Sequence, residues 1–278
     1  MTAHTVTVVI GTLAAVSLLA CGVFAFLHGR GIPQQDFRPR LLWLRAGTYV
    51  SACWLFSVLA GTFKKIVSTA PLTADQLRNS SWWLWTLLSV AIILLGYWVI
   101  WARWTLHFNR PRSIAAQVLF GVLWGTGSGQ LFVAIYDLIA TTNWSTWLVW
   151  LVAWCVIGGW QGVFQDVGWD VWVAPEHDTP WSIKRKVPAS HIPNVTITLT
   201  YLALYENRLI FIGLQSLALV AASIYMRFPK WYETEPILAP ATEPAYLGLT
   251  RATGFITDDP DPYRTQRESD RRRRSKTK

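Results

Sequence analysis

The run Gln117-Val-Leu-Phe-Gly121-Val-Leu-Trp-Gly125-Thr-Gly127-Ser-Gly129-Gln130-Leu-Phe-Val-Ala-Ile-Tyr-Asp137 reads as a helix of a membrane bundle. A helix that crosses a bilayer needs about 20 predominantly apolar residues, and this run belongs to an apolar stretch over 115–140. Three of its glycines, Gly121, Gly125 and Gly129, recur at intervals of four and so fall on one helical stripe. Such a stripe lets a neighbouring backbone approach closely. Gly158 and Gly162 repeat the spacing in the next apolar stretch, which follows after the short link Thr141 to Ser145. A closely packed antiparallel hairpin of these two helices is therefore expected; room for a ligand or pore is the other reading of the glycines.

Working outward, length and hydrophobicity place spans at 5–27, 41–62, 82–104, 115–140, 146–165 and 208–226. The stretch between Asn194 and Tyr205 is apolar and Thr-rich but short. It is either a seventh span, closed by a tight polar turn at Glu206-Asn207-Arg208, or a helix lying in the interface. The expected fold is an all-α, polytopic integral membrane bundle of six or seven transmembrane helices over residues 1–228. A basic tail, 229–278, rich in Pro, Thr, Asp and Arg, is expected to be disordered.

Composition agrees. Of the 278 residues, 52% are hydrophobic and 15% charged, against about 25% charged in soluble domains. Thr5 to Leu27 is too long for a signal-peptide core and has no basic n-region, so it reads as a retained span. The net charge of +9 does not imply nucleic acid, because the basic residues cluster at span ends and in the tail. Cys21, Cys53 and Cys155 fall on three different spans without metal-site spacing and read as small buried apolar residues. Gly125-Thr-Gly127-Ser-Gly129 lies inside a span, not after a strand, and is no dinucleotide fingerprint.

Positive charge sets the expected topology. Arg30, Arg38 and Arg40 follow the first span, Arg103, Arg110 and Arg112 the third, and Lys184, Arg185 and Lys186 the fifth. All three loops share the cytoplasmic face if the N-terminus is outside, with Lys64, Lys65 and Arg78 as the exception. Seven spans also bring the tail and its Arg271–Arg274 run inside. Of the 18 tryptophans, Trp82, Trp83 and Trp85 open the third span and Trp98, Trp101 and Trp104 close it, as an interfacial belt would. Trp147, Trp150 and Trp154 fit the same role.

One polar interruption, Gln165 to Asn194, holds four carboxylates, two of the five histidines and three tryptophans. Asp166 and Asp170 are four apart and would stack on one helix face, where two carboxylates near low dielectric titrate as a pair. Pro175 is expected to end that helix, Glu176, His177 and Asp178 to turn back toward it, and Pro193-Asn194, after His191, to start the next one. Three readings follow. In the first, a protonated carboxyl acts on a hydrophobic isoprenoid or lipid substrate, with Asp166, Asp170, Glu176, His177, Asp178 and His191 as the acid–base set. The faces of Trp160, Trp169, Trp172, Tyr201 and Tyr205 would line the pocket and stabilise a cation. Membrane terpene and lipid cyclases use chemistry of this kind.

In the second, Asp166 and Asp170 hold Mg²⁺ and Lys184, Arg185 and Lys186 bind a prenyl or lipid phosphate. The Asp-x-x-x-Asp spacing resembles one aspartate-rich motif of membrane prenyltransferases, whose second such motif is missing here. Iron or zinc on His177 and His191 lacks any diagnostic spacing. In the third reading the charges pair with one another in a hydrated loop of a non-catalytic subunit. A transporter using Asp137, Gln130 and Glu206 is the remaining alternative. The expected partners are the bilayer and a hydrophobic small molecule.

Overall fold

The computed structural model describes residues 39–70, 72–100, 112–161, 187–226, 228 and 230–232. The expected first span, the acidic loop and the tail beyond residue 232 lie outside these residues. Everything regular in the described part is helical: α1 (Pro39–Leu59), α2 (Thr62–Ser68), α3 (Ala74–Arg78) and α4 (Ser80–Leu94), which continues as a π-helix, Leu95–Ile100. Then come α5 (Ile114–Ala140), α6 (Thr146–Trp160), a π-helix Val187–His191 leading into α7 (Ile192–Tyr205), and α8 (Arg208–Met226).

Three of these are long and apolar enough to cross a bilayer, Ser80–Ile100, Ile114–Ala140 and Arg208–Tyr225, and α6 is a shorter apolar helix. The bent pair Ala46–Leu59 and Thr62–Ser68 would make a fourth. These are the dimensions of a membrane-associated helical bundle. The 86° bend falls at Gly61, whose φ of 74° a residue without Cβ adopts freely. Outer faces are apolar as well: Leu84 and Leu87 on α4 are 65% and 61% exposed, and runs of that kind on a helix face mark contact with lipid or protein.

The core is built around α5. A Cβ on Gly121, Gly125 or Gly129 would come under 3.0 Å from the α8 backbone, at Val220, Ser216 and Ile212 in turn. The descending order shows that α8 runs antiparallel to α5. The glycine stripe is thus a packing device, but its partner is α8, not the following helix α6. A Cβ on Gly158 of α6 would meet nothing within 4 Å, so Gly158 makes no close helix contact of the kind expected of it, and Gly162 lies outside the described residues. The opposite flank of α5 receives α1 in parallel: Trp43 meets Phe120 edge-on, Tyr49 stacks on Trp124 and its hydroxyl is 3.2 Å from Ser128 Oγ.

Helix directions alternate. Asp137 at the end of α5 meets Arg208 at the start of α8, and Tyr205 at the end of α7 meets Ser81 at the start of α4 (2.8 Å). At the other end, Gln117 accepts from Ser223 through its carbonyl and donates to Phe228 O. The expected turn at Glu206-Asn207-Arg208 is present. Glu206 takes the left-handed conformation (φ 49°), and Asn207 Oδ1 caps α8 by accepting from Ile210 N at 3.0 Å. Asn207 Nδ2 also reaches Gln76 Oε1 at 3.2 Å, tying this turn to α3.

Several tryptophans expected in the belt face inward instead. Trp82 is buried. Trp150 and Trp154 donate their indole N–H to Thr200 and Thr196 at 3.1 and 2.9 Å, stapling α6 to α7. An indole N–H in a bundle interior needs an acceptor, and the threonines of α7 supply it. Trp83, Trp98 and Trp147 remain exposed, as a belt requires.

Candidate functional site

α7 presents one polar stripe to the bundle: His191, Asn194, Thr198, Tyr201 and Tyr205. Their spacing of three and four keeps them on one face for the helix's whole length, and all except Tyr205 are buried. Polar groups in a bundle interior must find partners, and those near the π-helical entry form a network. Tyr97 Oη lies 2.5 Å from His191 Nδ1, Asn194 Nδ2 donates to Tyr97 Oη at 3.3 Å and to Gln215 Oε1 at 3.5 Å, and Gln215 Nε2 donates to Thr198 Oγ1 at 3.1 Å. With Tyr97 as donor to Nδ1, the neutral imidazole carries its proton on Nε2.

Both members of the pair sit on π-helical turns, Leu95–Ile100 and Val187–His191. The two turns lie side by side: a Cβ on Gly96 would make ordinary contact with Ser190 at 3.6 Å. π-turns inside helices frequently occur at functional sites. The helical segment begins at Val187, earlier than the expected start at Pro193-Asn194. Pro193 lacks an N–H, and the wide π-turn before it accommodates that loss without ending the helix.

His191 is 6% exposed and borders a cavity of about 210 Å³ between α6 and α7, lined by Trp154, Cys155, Gly158, Gly159, Gln161, His191, Ile192 and Val195. Cys155, Gly159 and Ile192 are exposed at the bundle surface, so the cavity opens sideways. Cys155 thus departs from the buried role expected of it, whereas Cys53 keeps that role. At the inner end Gln161 is 0% exposed, and neither its Oε1 nor its Nε2 has a hydrogen-bond partner. A buried primary amide left so costs about 1–3 kcal/mol per unmet group.

Of the expected site residues that are described, His191 lines this cavity. Trp160 points instead toward α1, next to the Tyr49 hydroxyl. Tyr201 is buried farther along α7, and Tyr205 marks the Asp137 end. Asp166, Trp169, Asp170, Trp172, Glu176, His177, Asp178, Lys184, Arg185 and Lys186 lie outside the described residues, and with them the Mg²⁺ pair. Among the described residues no three His, Cys, Asp or Glu side chains gather as a metal site would need. Tyr97 and Gln161 were not among the sequence candidates. Their signal was weak: a lone tyrosine and a lone glutamine inside apolar stretches.

A second polar cluster sits at the far end. Asp137, 5% exposed, takes Arg208 in a bidentate pair, Nη2 to Oδ1 at 2.8 Å and Nε to Oδ2 at 3.1 Å, with Lys65 Nζ 3.6 Å from Oδ2. Arg208 Nη1 also donates to the Glu206 carbonyl at 3.2 Å. Both carboxylate oxygens are engaged, which is the geometry of a clasp between α5 and α8. No protein family model, curated protein or solved structure is detectably similar to this chain.

Proposed function

We propose that this chain is a membrane-embedded enzyme that acts on the polar end of a hydrophobic isoprenoid or lipid substrate, with His191 as its proton-transfer group. The observation that carries the reading is the sideways cavity in which the buried, unpartnered amide of Gln161 accompanies the Tyr97-held imidazole of His191. An imidazole can give up the proton on one ring nitrogen while its other nitrogen takes one. Tyr97 fixes its ring and can pass its hydroxyl proton to Nδ1 as Nε2–H gives its own to the substrate, while the apolar wall excludes water. The carboxylates of residues 166–178 are proposed as the remaining members of the acid–base set.

In the same reading the chain crosses the bilayer seven times with the N-terminus outside. The helix ends near Arg112 form the cytoplasmic face, since the segments joining them carry Arg103, Arg110, Lys184, Arg185 and Lys186. Lys65, an exception to the charge rule by sequence, is offset by Asp137. With Cys21 and Cys155 changed to serine, Asn143→Cys should react with an impermeant maleimide from outside intact cells, and Ser113→Cys only after lysis. The reverse pattern would overturn the orientation.

The catalytic test is the lipid profile of membranes containing the protein, followed alongside its accumulation. His191→Gln should lower turnover by about 100-fold or more, the usual contribution of a general acid or base, at normal accumulation. Tyr97→Phe should shift the pH profile of the remaining activity, because it removes the group that holds Nδ1. Full turnover in a normally accumulating His191→Gln protein would end the reading.

A further inference from the structure

We propose that the cavity between α6 and α7 receives the uncharged, hydroxyl-bearing end of a single-chain lipid, which enters sideways from the bilayer. This deepens, and rests on, the reading of the same cavity as the substrate site. Size is the first argument. At about 210 Å³ it falls below the roughly 300–1,000 Å³ of sites that enclose a whole drug-sized ligand. It therefore takes the end of a longer molecule, whose remaining chain lies against the apolar outer face of the bundle. Exposed Cys155, Gly159 and Ile192 at the rim give a single chain a way in.

The glycines supply the second argument. Glycine within a helix costs about 0.5–1 kcal/mol relative to alanine. Gly121, Gly125 and Gly129 offset that cost through contact with the α8 backbone. Gly158 and Gly159 have no such compensation, because a Cβ on either would meet nothing within 4 Å. Together they keep one wall of the cavity open. Trp154, pinned by its bond to Thr196 at 2.9 Å, holds the wall beside them.

The head group follows from the floor. Gln161 offers one unmet acceptor and an unmet donor inside a fully buried side chain. A hydroxyl answers both kinds of demand, since its oxygen accepts from Nε2–H of the amide and its proton goes to Oε1. A phosphate head would bring negative charge into low dielectric, and the described lining residues include no Lys or Arg to pair with it.

The test uses the full chain in lipid nanodiscs and a hexadecanol probe carrying a diazirine near its hydroxyl. After illumination, labels should map to residues 154–161 and 191–195, be displaced by unlabelled hexadecanol, and resist hexadecyl phosphate. Gln161→Leu, which removes both hydrogen-bonding groups at similar volume, and Gly158→Leu, which fills the space, should each cut labelling by about tenfold, the equivalent of one good hydrogen bond or one lost contact surface. Both variants should unfold no earlier than the parent. Labelling unchanged in both variants, or absent because water alone fills the cavity, overturns the proposal. Equal displacement by hexadecyl phosphate overturns the uncharged head group. If labelling behaves as expected while His191→Gln leaves lipid turnover intact, the lipid site stands and the enzymatic reading falls.

Discussion

Gly125→Leu should prevent the protein from accumulating in the membrane, and Gly125→Ala should already lower its unfolding temperature markedly. A Cβ at this position would lie under 3.0 Å from Ser216 Cα and from neighbouring α8 backbone atoms. No rotamer change relieves contact with a backbone, so α8 must move away from α5. Gly121 and Gly129, one turn to either side, meet Val220 and Ile212 in the same way, so the shift would loosen the whole seam. Inserting atoms into a packed interior usually costs about 1–3 kcal/mol, and a clash with backbone belongs at or above the top of that range. Gly158→Ala is the control: its Cβ meets nothing within 4 Å, so the variant should accumulate like the parent. Equal unfolding temperatures for Gly125→Ala and Gly158→Ala would show that the stripe is not a packing seam.

Arg208→Ala should destabilise the protein by about 3–5 kcal/mol, the cost of leaving a buried charge without its partner. Asp137 is 5% exposed and both its oxygens engage Arg208. Lys65, at 3.6 Å and half exposed, offsets only part of the loss. Asp137→Ala should cost a similar amount by stranding the guanidinium. The double variant Asp137→Ala with Arg208→Ala should recover much of the stability lost in either single, because no uncompensated charge is left. Denaturation of the four proteins in detergent measures this coupling directly, and additive losses would mean that the two side chains act independently. In the transport alternative Asp137→Asn abolishes a potential-driven flux without much change in stability; as a clasp it lowers stability and leaves no flux to lose.

Much of the scaffold was legible in the chain because apolar length is a local property. The stretches 115–140 and 208–226 became α5 and α8 within a residue, and the Glu206-Asn207 turn appeared where polar residues interrupt a Thr-rich apolar run. The short segment 194–205 was harder. It is already helical at Val187, in a π-turn that meets a second one at Leu95–Ile100, a pairing of distant segments that local residue preference does not encode. The tryptophans of α6 misled for a related reason. Spacing alone marks a stripe, and an interfacial belt and a row of donors facing Thr196 and Thr200 share that spacing.

Of the described residues at the cavity, the chain had drawn attention to His191 alone. Carboxylates and histidines in a polar loop draw attention by type, whereas Tyr97 and Gln161 are single polar residues in apolar helices. They acquire meaning from three helices meeting, which no spacing encodes.

Apolar periodicity and glycine interval by themselves determined that this protein is a helical, membrane-associated bundle with a closely packed stripe on α5. Both depend on residues near one another in the chain. It took the packed helices to show that the stripe meets α8, that Asp137 clasps Arg208, and that Gly158, Gln161 and His191 border one cavity. Each of those depends on which helices become neighbours, and the choice is made by the fit of whole surfaces rather than by any single segment.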